Sequence, residues 1–128
     1  MPDVVQRPVR DRRRAYGRGL WAESAAAWLL RLKGYRILAR RWRSPLGEID
    51  LVARRGPTLA IVEVKRRDAR GLALEAVTPR QRQRIERAAL MFLQRNRGLA
   101  ECDLRFDVVV VGALGRPQHI ADAWRPTR

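Results

Sequence analysis

Apolar and polar residues alternate through residues 48–54 and again through 58–66, and Arg54-Arg55-Gly56-Pro57 separates the two runs. A period of two with Gly and Pro between predicts neighbouring strands of a hairpin. In the first strand Glu48 and Asp50 fall on one side and Ile49 and Leu51 on the other. In the second, Thr58 to Arg66, Val62 and Val64 share one side and Glu63 and Lys65 the other. Upstream, Gly17 to Lys33 reads as a helix closed by Gly34 in a left-handed cap. A strand from Tyr35 to Trp42 and a turn at Ser44-Pro45-Leu46-Gly47 then lead into the hairpin as an antiparallel meander.

Downstream, Thr78 as N-cap and Pro79 at the first helical position start a second helix. Its apolar face holds Ile85, Ala89 and Phe92, joined by Ala88 and Leu93. Cys102 to Val111 is a strand with Phe106, Val108 and Val110 on one face and Val109 and Val111 on the other, which predicts an interior position. Strand, helix and strand in that order predict a right-handed crossover. A short strand from His119 to Ala123 ends the sheet, with Trp124 a packing residue. Residues 1–14 read as a disordered basic arm, and residues 15–128 as a single domain.

Charge changes the picture most. The 128 residues carry 28 basic against 13 acidic side chains, a net charge of +15, which predicts a polyanionic partner. Nearly all the basic residues are arginine; Lys33 and Lys65 are the only lysines. One cysteine, Cys102, excludes an internal disulfide and fits a reducing compartment. No Cys/His spacing suggests zinc, and the lone His119 reads as a surface or turn residue. No apolar run approaches the ~18 residues a bilayer span needs, and the N-terminus lacks the apolar core of a signal peptide. The expectation is a cytoplasmic protein with no membrane partner.

Within this frame one group of residues carries chemistry. Asp50, Glu63 and Lys65 fall on one face of the hairpin, where cross-strand neighbours sit roughly 5 Å apart. Paired carboxylates call for a proton or a cation between them, and hard ions such as Mg²⁺ take oxygen ligands. A lysine beside such an ion orients water or offsets developing charge. The set is suited to phosphodiester hydrolysis; equally, charges on the outer face of a strand can be simple solvation. Glu23 lies on the apolar side of its helix with Ala26, Ala27 and Leu30. It is a third acid beside Asp50, a partly exposed residue at the helix edge, or one paired with an arginine such as Arg18 or Arg31. The basic stretch from Arg66 to Leu74, with Arg67 and Arg70, either grips a phosphate backbone or is a solvated connection. Arg80, Arg82, Arg84 and Arg87 on the second helix lie along phosphates or serve solubility, and Gln81 and Gln83 are weak candidates for nucleotide contact. Asp107 is expected to pair with an arginine near the start of its strand.

Several ordered motifs resemble the YraN family of small bacterial proteins. They are Glu23 in WAESAAAWLL, Gly34-Tyr35, Gly47-Glu48-Ile49-Asp50-Leu51, Val62-Glu63-Val64-Lys65-Arg66, Ala76-Val77-Thr78-Pro79 and Arg105-Phe106-Asp107-Val108. That family is similar to the PD-(D/E)xK nucleases, especially archaeal Holliday junction resolvases. The resemblance implies an α/β, restriction-endonuclease-like fold with a central mixed sheet flanked by helices. It implies Mg²⁺ or Mn²⁺ held by Asp50 and Glu63, with Glu23 binding directly or through water and the Val64 carbonyl as a further ligand. Lys65 would serve the attacking water. The chain departs from the pattern where Arg41 or Trp42 replaces a frequent asparagine and Gln81 a frequent lysine. The expected function is a metal-dependent endonuclease acting on DNA, with branched and single-stranded forms as candidate substrates, and resolvase-like symmetry would require a homodimer. The alternatives are a nuclease-fold binding protein without turnover and a basic RNA-binding module.

Overall fold

The computed structural model describes residues 9–67, 77–112 and 116–126, with the backbone alone for 9–19. Helix α1 runs from Val9 to Leu32, so it begins eight residues before Gly17, within the segment expected to be a disordered arm. It ends where the sequence places the stop. Gly34 takes φ 90, the Tyr35 N–H reaches the Leu30 carbonyl at 2.9 Å and the Gly34 N–H reaches Arg31 at 3.0 Å. These paired bonds are a Schellman closure, and they satisfy carbonyls the helix end leaves open.

Five strands follow: β1 (Arg36–Ser44), β2 (Gly47–Arg55), β3 (Thr58–Arg66), β4 (Asp103–Val111) and β5 (Pro117–Trp124). They form one mixed sheet in sequence order, antiparallel except for the parallel β3–β4 pair. The β2–β3 turn is the two residues Gly56-Pro57, with Gly56 at φ 58, the conformation a tight hairpin turn asks of its first central residue. Helix α2 (Pro79–Arg95) joins β3 to β4, which is what allows two parallel neighbours.

Each face of the sheet carries its own core. Ala22, Ala26, Ala27 and Leu30 of α1 meet Leu51, Ala53, Ala60, Val62, Val109 and Val111. Ile85, Ala88, Ala89 and Phe92 of α2 meet Ile49, Val52, Leu59, Ile61, Phe106, Val108 and Val110. The α/β architecture with a flanked mixed sheet is therefore as expected. Alanines on α1 let that helix sit close to the sheet, and close approach decides where its polar residue Glu23 ends up. Helix α2 is held at its start by a reciprocal cap: Thr78 Oγ1 accepts the Gln81 N–H at 3.2 Å and Gln81 Oε1 accepts the Thr78 N–H at 3.1 Å. Gln81 is thus occupied as a capping residue rather than as a nucleotide contact. A Cβ added at Gly47 would lie 3.3 Å from the Arg84 carbonyl, so the glycine lets α2 press against the β1–β2 turn.

Candidate active site

The site forms where the β2–β3 ladder opens. Their pairing runs from Arg55↔Thr58 to Leu51↔Val62 and stops. Continued by one step it would set Asp50 opposite Glu63. Instead the Asp50 carboxylate enters the gap, and its Oδ2 accepts the Val64 N–H at 2.7 Å. The side-chain alternation turns over at the same place: Ile49 packs on the α2 side of the sheet and Leu51 on the α1 side. On β1 the residue between the pairs Arg40↔Leu51 and Trp42↔Ile49 is Arg41, with φ 53. A left-handed arginine in a strand is costly and marks a place the surroundings hold firmly. Asp50 and Arg41 therefore share one irregular rung.

Glu63 lies beside the Asp50 carboxyl and 3.5 Å from Lys65 Nζ. Burial pushes Glu63 up to about 9; the Asp50 carboxyl adds to this, and Lys65 opposes it. Lys65 itself is buried. The hairpin brings Asp50 near Glu63 and Lys65 as expected, but through the opening in the ladder: Ile49 and Leu51, expected on one side, face opposite sides. Glu63 and Lys65 sit on the rows of β3 that register with Val108 and Val110, which places them on the α2 side.

Glu23 comes to the opposite side of the same opening. It and Asp50 line a cavity of about 200 Å³ together with Ala22, Arg41, Glu48, Val64 and Arg66. The Glu23 carboxyl accepts Arg40 Nε at 3.1 Å and lies 3.6 Å from Arg41 Nε, so among the described side chains its partners come from β1 and not from Arg31; the Arg18 side chain lies outside the described residues. Burial raises its pKa, the two arginines lower it, and the Asp50 charge raises it further. The acids thus straddle the end of the sheet, with Asp50 between Glu23 on one side and Glu63 on the other.

These donors bear on a divalent ion unequally. Among the described residues no group of three or more His, Cys, Asp or Glu is arranged to hold a metal. Asp50 and Glu63, two neighbouring oxygen donors, fit a hard cation in chemistry and charge. Glu23 is engaged by arginines, and the Val64 N–H is engaged by Asp50.

The basic candidates separate as well. Arg66 lines the cavity. Arg67 belongs to the sheet: its N–H bonds the Val111 carbonyl at 2.9 Å and its guanidinium reaches Gln118 at 3.3 Å. Arg70 lies outside the described residues, as does most of the 66–74 stretch. Arg80, Arg82 and Arg84 are exposed on α2, and none lines the cavity. Arg82 folds back to the Val77 carbonyl at 3.1 Å and stands over the Trp124 ring.

A second polar cluster corrects the expectation for His119. Its side chain is 3% exposed, and its Nε2 lies 2.8 Å from Asp107 Oδ2. Lys33 Nζ is 2.6 Å from Nδ1; an ammonium only donates, so Nε2 carries the proton toward Asp107. Asp107 is fully buried and also takes two bonds from Arg105, the expected partner, and one from the Asp122 N–H at 3.0 Å. Burial pushes this carboxyl up, but the bonds from His119, Arg105 and Asp122 outweigh it and bring it from 3.8 down to about 2.

Comparison with known proteins places this geometry in a group. The model of "Uncharacterised protein family UPF0102" matches residues 22–111. A UPF0102 protein of Parvibaculum lavamentivorans is 57% identical over 112 residues, covering 88% of this chain and 84% of its own. One from Paramagnetospirillum magneticum is 53% identical over 122 residues, covering 92% and 95%. One from Chelativorans sp. is 50% identical over 114 residues, covering 89% and 92%.

Proposed function

Starting from a chain that belongs to the UPF0102 family, the YraN family of the sequence motifs, we propose a metal-dependent endonuclease that hydrolyses DNA phosphodiester bonds. The observation that supports this most is the opening between β2 and β3. There Asp50 and Glu63 stand near enough for the Asp50 charge to raise Glu63, and Lys65 Nζ is 3.5 Å from Glu63. A half-buried carboxyl pair beside a buried ammonium is costly to keep, and its natural counter-charge is a divalent ion.

In this reading Asp50 and Glu63 hold Mg²⁺ or Mn²⁺, and Glu23 is a positioning residue. The ion, when bound, supplies Lewis-acid activation of water and charge stabilisation at phosphorus. The chain's own residues do the rest. Lys65 orients the attacking water and offsets negative charge as it develops. Arg41 and Arg66, at the cavity wall, bind the phosphate oxygens, and Glu23 fixes Arg40 and Arg41 in place. Contacts to backbone phosphate position the substrate without reading its bases, so sequence preference should be low.

The engagement of Glu23 by two arginines favours one second reading, a nuclease-fold DNA-binding protein without turnover. Cleavage assays on linear, single-stranded and four-way-junction DNA with Mg²⁺ or Mn²⁺ separate the two. The nuclease reading expects wild-type cutting that Asp50→Ala and Lys65→Ala abolish. Tight binding with no cutting, unchanged in both variants, selects the binding protein; strong preference for RNA removes both.

A further inference from the structure

The four tryptophans fall into two kinds. Trp42 packs edge-on against Phe92, and Trp124 stacks on Phe106. Trp21 and Trp28, on α1, are instead 50% and 62% exposed. Seven residues is close to two helical turns, so both indoles stand on one side of the helix, roughly 10 Å apart along its axis. The Arg31 guanidinium lies over the Trp28 ring, 5.3 Å from its centroid. Trp21 directly precedes Ala22 and Glu23, which line the cavity beside Asp50. Two exposed rings, that of Trp28 with Arg31 over it, thus stand on the outer side of α1, while Glu23, between them along the axis, is turned about 200° from Trp21 toward the sheet.

Charge decides what could cover them. Helix α1 contains six arginines against Asp11 and Glu23, in a chain of net charge +15. A second copy laid on this face would bring two like-charged helices together. A nucleic acid brings phosphates to the arginines and flat bases to the indoles. Duplex bases have their faces covered by one another, whereas an unpaired strand offers them.

We infer that Trp21 and Trp28 are a stacking platform for the unpaired bases of single-stranded DNA. The strand lies along the outer side of α1, across the helix from the cavity at Glu23 and Asp50. Stacking tolerates any base, so the platform selects for strandedness and not for sequence.

The test is fluorescence anisotropy with a labelled oligothymidylate of about twelve nucleotides and a duplex of equal length, in EDTA. Wild type should bind the single strand more tightly. Trp21→Ala with Trp28→Ala should weaken single-strand binding about tenfold or more and leave duplex binding within about twofold. Trp21→Phe with Trp28→Phe keeps a ring at each position and should recover much of the loss, with thermal melts showing that all variants fold. Equal single-strand affinity in wild type and the alanine variant overturns the platform, and so does parallel loss of single-strand and duplex binding. A change confined to sedimentation would identify a second copy as the occupant. A change confined to anionic vesicles would identify a membrane surface. Hydrolysis plays no part in this measurement, so a protein that binds but never cuts leaves the platform standing.

Discussion

The Asp50 carboxylate accepts the Val64 N–H at 2.7 Å in the place where a β2–β3 ladder bond would otherwise form. One side chain thereby ends the pairing of two strands and holds them apart at the spot where Glu63 and Glu23 approach from opposite faces. Architecture and candidate chemistry depend on the same oxygen. Asp50→Ala should cost about 1–3 kcal/mol through the unsatisfied amide as well as abolish cleavage. Asp50→Asn, whose side-chain oxygen can still accept that N–H, should restore much of the stability and none of the cutting. Denaturant melts beside cleavage assays check this; equal stability loss in both variants would count against it.

Metal dependence should show in stability as well as in turnover. Glu63, raised from 4.5 to about 9, keeps its proton in the folded protein where the unfolded chain has lost it. Its contribution is therefore fully present below about pH 4.5 and fades as pH rises toward 9. A cation must displace that proton, so Mg²⁺ or Mn²⁺ should raise Tm more at about pH 8 than at about pH 6. Chelator should reverse the rise, and Glu63→Gln should remove the pH dependence. A Tm indifferent to both ions at either pH would sink the cation site.

Glu23→Gln should release Arg40 and Arg41 without emptying the core. The expected result is a KM for DNA raised several-fold with a smaller change in kcat, as befits a residue acting through arginines. Loss of metal-induced stabilisation in this variant would instead make Glu23 a ligand.

Asp107 provides a separate acid-sensitive contact. Its carboxyl is held down from 3.8 to about 2, so the stability it adds is present above pH 3.8 and disappears as pH falls through 2. Asp107→Asn should lose about 2 kcal/mol at neutral pH and flatten the acid limb of the stability curve. Melts between those pH values decide it, and an unchanged acid limb would rule it out.

Helix ends give the simplest check on the fold. Gly34→Ala forces a side chain into φ 90 and should cost about 1–2 kcal/mol; Thr78→Ala removes half of the reciprocal cap and should cost about 1 kcal/mol. Neither should alter cleavage by folded protein.

Local rules fixed the elements from the sequence. The hairpin came from the alternation through Glu48–Arg66, the end of α1 from Gly34, the start of α2 from Thr78-Pro79, and the interior place of β4 from apolar residues on both faces. The nearness of Asp50 and Glu63 was legible in part, because a hairpin sets its strands side by side, but their pairing ends at Leu51↔Val62 and the two meet at the opening rather than in register. What needed the tertiary structure was everything joined across layers. That Glu23 would meet Arg40 and Arg41 depended on how α1 crosses β1, and on the left-handed turn at Arg41, which no alternation pattern signals. His119 read as a surface residue because a lone histidine between Gln118 and Ile120 has no periodicity to betray it. Its burial follows from the pairing of β5 with β4, which sets it beside Asp107. Strand and helix periods report which way a side chain points, whereas the partner it meets is set by the docking of separate elements.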